Sequence, residues 1–189
     1  GGLIGDAADY ATILASYNTG SVTGTDPDIG GLIGYVRYGV VISASHNSGA
    51  VTGVDYLGGL VGDAGEDAEI FASYNTGNIT GTGPLVGGLV GYLEAGDIQV
   101  SSSYNTGSVS GDGDTGGLVG YGGDKVEVFS SYNSGSVTST ATDTGGLIGG
   151  VAVTLSIVAS HNTGPVSGDG DTGGLVGDGG DTASIVSSY

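Results

Sequence analysis

The chain has 189 residues, 43 of them glycine, with 12% charged residues, no cysteine, and a formal net charge of −18 that sets twenty acids against Arg37 and Lys125. Two basic side chains give neither the clustered Lys and Arg that a phosphate backbone requires nor an attraction to an anionic membrane surface, so neither is an expected partner. Without a thiol there are no disulfides and no thiolate metal sites.

The five-residue phrase Gly-Gly-Leu-(Ile/Val)-Gly begins at Gly1, Gly30, Gly58, Gly87, Gly116, Gly145 and Gly173, so the chain repeats every 28 or 29 residues. A unit this short has no core of its own and must bury its apolar side against its neighbours, which predicts a solenoid. The phrase reads as the first strand. Placing Leu3 inward puts Asp6 outward by alternation, whereas the opposite parity would bury Asp6, Asp63 and Asp178. On this reading Ile4, Ile33, Val61, Val90, Val119, Ile148 and Val176 form an outward apolar stripe.

The second strand carries Ile13, Ile42, Ile70, Val100, Val128, Ile157 and Ile185, with Ala11, Val40, Ala68, Ile98, Val126, Leu155 and Ala183 two places earlier. Both columns are predicted to face inward. So is the Ala or Ser two places later, while the intervening Thr12, Val41, Glu69, Gln99, Glu127, Ser156 and Ser184 face out. The longest apolar run, 147–159, is interrupted by Gly149, Gly150, Thr154 and Ser156. It falls short of the roughly 20 residues that span a bilayer, so no membrane insertion is expected.

A second phrase then follows, Ser-Tyr-Asn-Thr-Gly at Ser16, with related forms at Ser45, Ser73, Ser103, Ser131 and Ser160. Asn18, Asn47, Asn75, Asn105, Asn133 and Asn162 are expected to stack at one corner and hydrogen-bond from copy to copy. The Tyr/His column of Tyr17, His46, Tyr74, Tyr104, Tyr132, His161 and Tyr189 reads as a stacked ladder, with a surface recognition strip as the alternative. The third strand centres on Val22, Val51, Ile79, Val109, Val137 and Val166, each followed by an outward Ser or Thr.

No window holds a 3.6-residue period, and glycine is too frequent for helix interiors. The expected class is therefore all-β, a parallel β-solenoid with coils of about 29 residues and three short strands. Residues 1–189 form a single solenoid segment of six and a half repeats. Because the chain opens and closes within repeat phrases, without atypical capping units, it is expected to belong to a longer repetitive protein.

Gly-Gly-Leu-Val-Gly at Gly116, followed by Ser-Tyr-Asn-Ser-Gly at Ser131 and then Val137, resembles the GLUG repeat, and the likeness covers essentially the whole chain. The resemblance implies a place in large secreted or cell-surface bacterial proteins, adhesin-like proteins among them. It implies no catalytic residues within the repeat.

Acids gather in the loops on either side of the Gly-Leu phrase. The Asp-Gly-Asp triplets nominate Asp112, Asp114, Asp169 and Asp171 as calcium ligands, because closely spaced hard oxygens suit that ion. They lack the downstream glutamate of an EF-hand and the nine-residue spacing of calcium-binding β-repeats, so solvated turn acids are the preferred reading and no cofactor is required. The two histidines stand apart, with Tyr74, Tyr104 and Tyr132 between them, and neither lies in a Ser-His-Asp setting. The expected function is non-enzymatic, a structural module of an extracellular adhesin, stalk or self-associating fibre, with further repeats or copies of itself as partners. Ligand binding of glycan, ice or calcium is the first alternative, and polysaccharide cleavage the second.

Overall fold

The computed structural model describes residues 1–189. It is all-β and contains no helix. Every strand pairs in parallel with its equivalent one repeat away, giving a β-solenoid. Successive coils therefore rise by about 4.8 Å, and the rod is roughly 30 Å long. Hydrogen bonding runs round the whole coil: 63 of 122 backbone hydrogen bonds lie outside the strand ladders, at turns and corners.

Each of the three expected strands is present. In the second repeat they are Ile33–Val36, Val40–Ser43 and Val51–Gly53. Two-residue segments, His46–Asn47 and Leu57–Gly58, complete the coil and stack into sheets of their own. The expected interior columns hold: Ile42, Ile70, Val100, Val128 and Ile157 are at most 1% exposed, as are Val51, Ile79, Val109 and Val137. Ile185, in the last coil, is 48% exposed because no further coil covers it.

Two parity readings fail at corners, and a third fails at Asp63, expected outward but only 7% exposed. Ile33, Val61, Val90, Val119 and Ile148 are fully buried along with Leu32, Leu60, Leu89, Leu118 and Leu147, so there is no outward apolar stripe. The chain turns between the two residues: the amides of Leu32 and Ile33 both donate to the carbonyl of Leu60, at 3.0 and 2.9 Å. Strict alternation applies to a straight strand, and here the bend aims consecutive side chains inward. Likewise the residue two before the aromatic is exposed, because Ala15, Ala44, Ala72, Ser102, Ser130 and Ala159 adopt φ of 45° to 50° and reverse the facing of the chain.

The glycines of the repeat phrase are imposed by close packing. A side chain on Gly31, Gly59, Gly88 or Gly117 would strike the carboxamide of Asn47, Asn75, Asn105 or Asn133 across the coil. That contact line accompanies a division of the interior into a large apolar lobe containing Leu60 and Ile70 and a small one of Ile29, Val51, Leu57, Ile79, Val86 and Val109. Further along the rod, buried Thr115 and Thr144 replace the aliphatic residues of the Leu57–Val86 column. Each hydroxyl donates to a carbonyl two residues back, at 2.9 and 3.3 Å.

Candidate functional site

Three side-chain ladders run the length of the rod. In the first, the Nδ2 of Asn47 donates to Asn75 Oδ1 at 2.9 Å and to the Gly49 carbonyl at 2.7 Å, while its Oδ1 accepts from Asn18 Nδ2 and from the Gly49 amide. The pattern continues through Asn75, Asn105 and Asn133 to Asn162. An amide carries donors and acceptors in equal number, so identical copies satisfy one another in a column.

The second ladder is serine. Each Ser amide donates to the hydroxyl of the next copy, Ser45 to Ser73 and Ser73 to Ser103 both at 3.1 Å. Each hydroxyl returns to the carbonyl two residues earlier, as Ser45 Oγ does to Ser43 at 2.8 Å. Nothing in the sequence reading gave this serine a role, although its presence before every Tyr or His was visible. The bond holds the corner made by the left-handed residue just before it.

The third ladder is aromatic, and its rings stack. Tyr17, His46, Tyr74, Tyr104, Tyr132, His161 and Tyr189 lie with successive centroids 4.7 to 5.2 Å apart and interplanar angles of 1° to 13°.

The four calcium candidates fall into two pairs. Thr115, Thr144 and Thr172 pair in register, which sets Asp112 and Asp114 two coils from Asp169 and Asp171, about 9.6 Å along the rod. The intervening loop offers hydroxyls to the first pair: Thr140 Oγ1 donates to Asp112 at 2.5 Å, and Thr142 Oγ1 to Asp114 at 2.6 Å. Asp169 and Asp171 are exposed.

A different pair of acids is buried. Asp63 is 7% exposed, and Oδ1 of both Asp63 and Asp28 is shielded from solvent with no hydrogen-bond partner. Asp63 stands in register between Tyr35 and Tyr92, whose bulky side chains extend the column on either side of it. Asp28 occupies the facing loop in the left-handed region at φ 65°, and its backbone packs against Gly62. Burial, then the charges of Asp28 and Glu94, push Asp63 up to about 7. Burial, then Asp6 and Asp55, also raise Asp28. Alternation along the Gly-Leu strand expects Asp63 to face outward, and the structure buries it; the signal against that expectation in the sequence is that Asp63 shares a column with Tyr35 and Tyr92.

The outer face of the long strand bears two open hollows. One, of about 230 Å³, lies beside Tyr10, Thr12, Val41 and Glu69; the other, of about 220 Å³, is lined by Asp67, Glu69, Asp97, Gln99 and Glu127. Lys125 pairs with two of the acids of the second, Glu127 at 3.0 Å and Asp97 at 3.6 Å. No set of three or more His, Asp or Glu side chains converges on a metal-sized point. No protein-family model, curated protein or solved structure matches the chain.

Proposed function

We propose that this chain is a non-enzymatic structural repeat module, a stiff rod serving as spacer or stalk in a secreted or cell-surface protein of the adhesin type. The observation that carries the reading is the continuity of the asparagine ladder, which links Asn18 to Asn162 through every intervening coil. A catalyst needs one coil set apart to hold its reacting groups, whereas a spacer gains from coils that bond alike. The likeness to the GLUG repeat supports the same role and the extracellular setting.

Stiffness is the testable property. Thr19 and Thr163 are exposed, equivalent positions five coils apart, about 24 Å along the rod. The chain has no cysteine, so spin labels at Thr19→Cys and Thr163→Cys report on that length alone. A single narrow distance distribution is expected; a broad or bimodal one overturns the rod. Release of reducing ends from extracellular polysaccharides, tracking the purified chain, would instead favour the enzymatic alternative.

Lateral self-association is a second reading, supported by outward Leu14 and Phe71, which are 60% and 53% exposed on the same strand face. The charge of −18 opposes contact between copies, and salt screens it over roughly 10 Å at 0.1 M. Light scattering should therefore rise with ionic strength, and a monomer at every salt concentration removes the fibre while leaving the spacer.

A further inference from the structure

We propose that Asp28 and Asp63 form a binding site for one hard divalent cation of the calcium class, separate from the Asp-Gly-Asp loops. The case starts from two orphaned atoms. Oδ1 of each carboxylate is buried without a hydrogen-bond donor, and Asp63 as a whole is 7% exposed. A carboxylate removed from water needs a donor or a cation, and its isolated charge costs several kcal/mol or more.

The chain supplies no such partner. Its ion pairs are those of Lys125 with Asp97 and Glu127, and the Arg37 guanidinium lies over the Tyr38 ring at 6.0 Å. The surroundings add negative potential instead: Asp6 and Asp55 act on Asp28, and Glu94 acts on Asp63. A doubly charged cation between the two acids offsets their charge and satisfies oxygens that are otherwise unpaired.

The ligand chemistry selects the ion. Carboxylate oxygens are hard donors, and calcium accepts irregular shells completed by water and main-chain carbonyls, whereas magnesium demands a near-octahedral set. Two carboxylates and no third converging acid make a partial protein shell, which matches the ~10⁻⁴–10⁻³ M affinities of extracellular calcium modules more closely than those of cytosolic buffers. Among the coils covered on both sides the site occurs once: the other internal positions of the Asp63 column are Tyr35, Tyr92, Tyr121 and Gly150, which carry no carboxylate.

The same neighbours provide a readout. Tyr35 and Tyr92 flank Asp63, so terbium bound there in place of calcium should luminesce on tyrosine excitation. The experiment titrates the full chain with terbium and then displaces it with calcium, with magnesium as a parallel competitor. Expected is one saturable site per chain, displaced by calcium at least tenfold more effectively than by magnesium. The signal is lost in Asp63→Asn and in Asp28→Asn, and kept in the double variant Asp112→Asn with Asp169→Asn. Circular dichroism of each variant shows that the coil is intact, and calcium calorimetry repeats the count without the lanthanide. Absence of a saturable site, luminescence that survives both Asp63→Asn and Asp28→Asn, or loss of it in the Asp112 and Asp169 variant overturns the proposal.

Discussion

The asparagine corner and the Asp28–Asp63 corner belong to the same coils, yet their buried polar groups are served in opposite ways. Asn75 is fully buried, and both hydrogens and both lone pairs of its amide are engaged. Asp63 is buried nearly as deeply and leaves an oxygen without a donor. The difference lies in the functional groups. A carboxamide is self-complementary, so stacking like on like adds bonds; a carboxylate only accepts, so bringing two together adds repulsion. A repeat can therefore use Asn in every coil, whereas it can bury an acid pair only where something else neutralises the charge.

The largest effect should come from importing the acid's defect into the amide ladder. Asn75→Asp removes the donors to the Gly77 carbonyl and to Asn105 Oδ1 and buries a charge. It should cost at least about 3 kcal/mol near neutral pH. Protonation restores a donor, so part of the loss should return in acid, as followed by urea unfolding at pH 7.5 and 4.5. If Asn75→Asp is as stable as the parent at pH 7.5, the ladder does not hold the corner.

The aromatic column tests whether a ladder needs identity or only shape. Tyr104 stacks on Tyr74 and Tyr132 at 4.8 and 4.9 Å. Tyr104→Ala should cost about 1–3 kcal/mol for the two pairs, beyond lost area. Tyr104→His should cost under about 1 kcal/mol, because His46 and His161 already stack in the column with tyrosines on both sides. Equal losses in the two variants would mean that stacking contributes nothing specific.

At the acid corner the sign reverses. In chelator at pH 8, Asp63→Asn should stabilise the chain by on the order of 1 kcal/mol, about 3 °C in unfolding midpoint at this length. The parent itself should show the smallest and most graded effect. With Asp63 raised to about 7 from an ordinary 3.8, the folded chain holds a proton between those values that the unfolded chain has released. Its contribution is fully present below about pH 4, declines as pH rises toward 7, and is lost above that. Asp28 and Asp143 are raised as well, both by burial first, and act in the same direction. Thermal melts in chelator across pH 4 to 8 should slope downward for the parent and less steeply for Asp63→Asn; parallel slopes would mean that Asp63 titrates normally.

Much of this is legible in the amino-acid sequence. The period, the Ile70 and Val51 columns, the asparagine corner and the aromatic stack all follow from comparing the chain with itself, because a repeat displays its own tolerated substitutions. Corners were not legible. The Leu60–Val61 pair violates alternation by a bend in which two amides share the Leu89 carbonyl, at 2.9 and 3.0 Å, and no periodicity of side chains records a shared carbonyl. The left-handed turn at Ala72 was misread for the same reason: a small residue there looks like an inward one.

The amino-acid sequence by itself determined that the chain coils, at what period, and which aliphatic columns lie inside, since those depend on local pattern repeated at fixed spacing. The tertiary structure alone decided that Asp63, which alternation expects outward, is buried inside the rod at 7% exposure. That outcome rests on which residues stand one coil above and below and which loop packs alongside: Tyr35 and Tyr92 along the column, and Asp28 across from it. Burial of a charge is a property of the neighbours' volume and placement, and those residues stand 28 to 35 positions away along the chain.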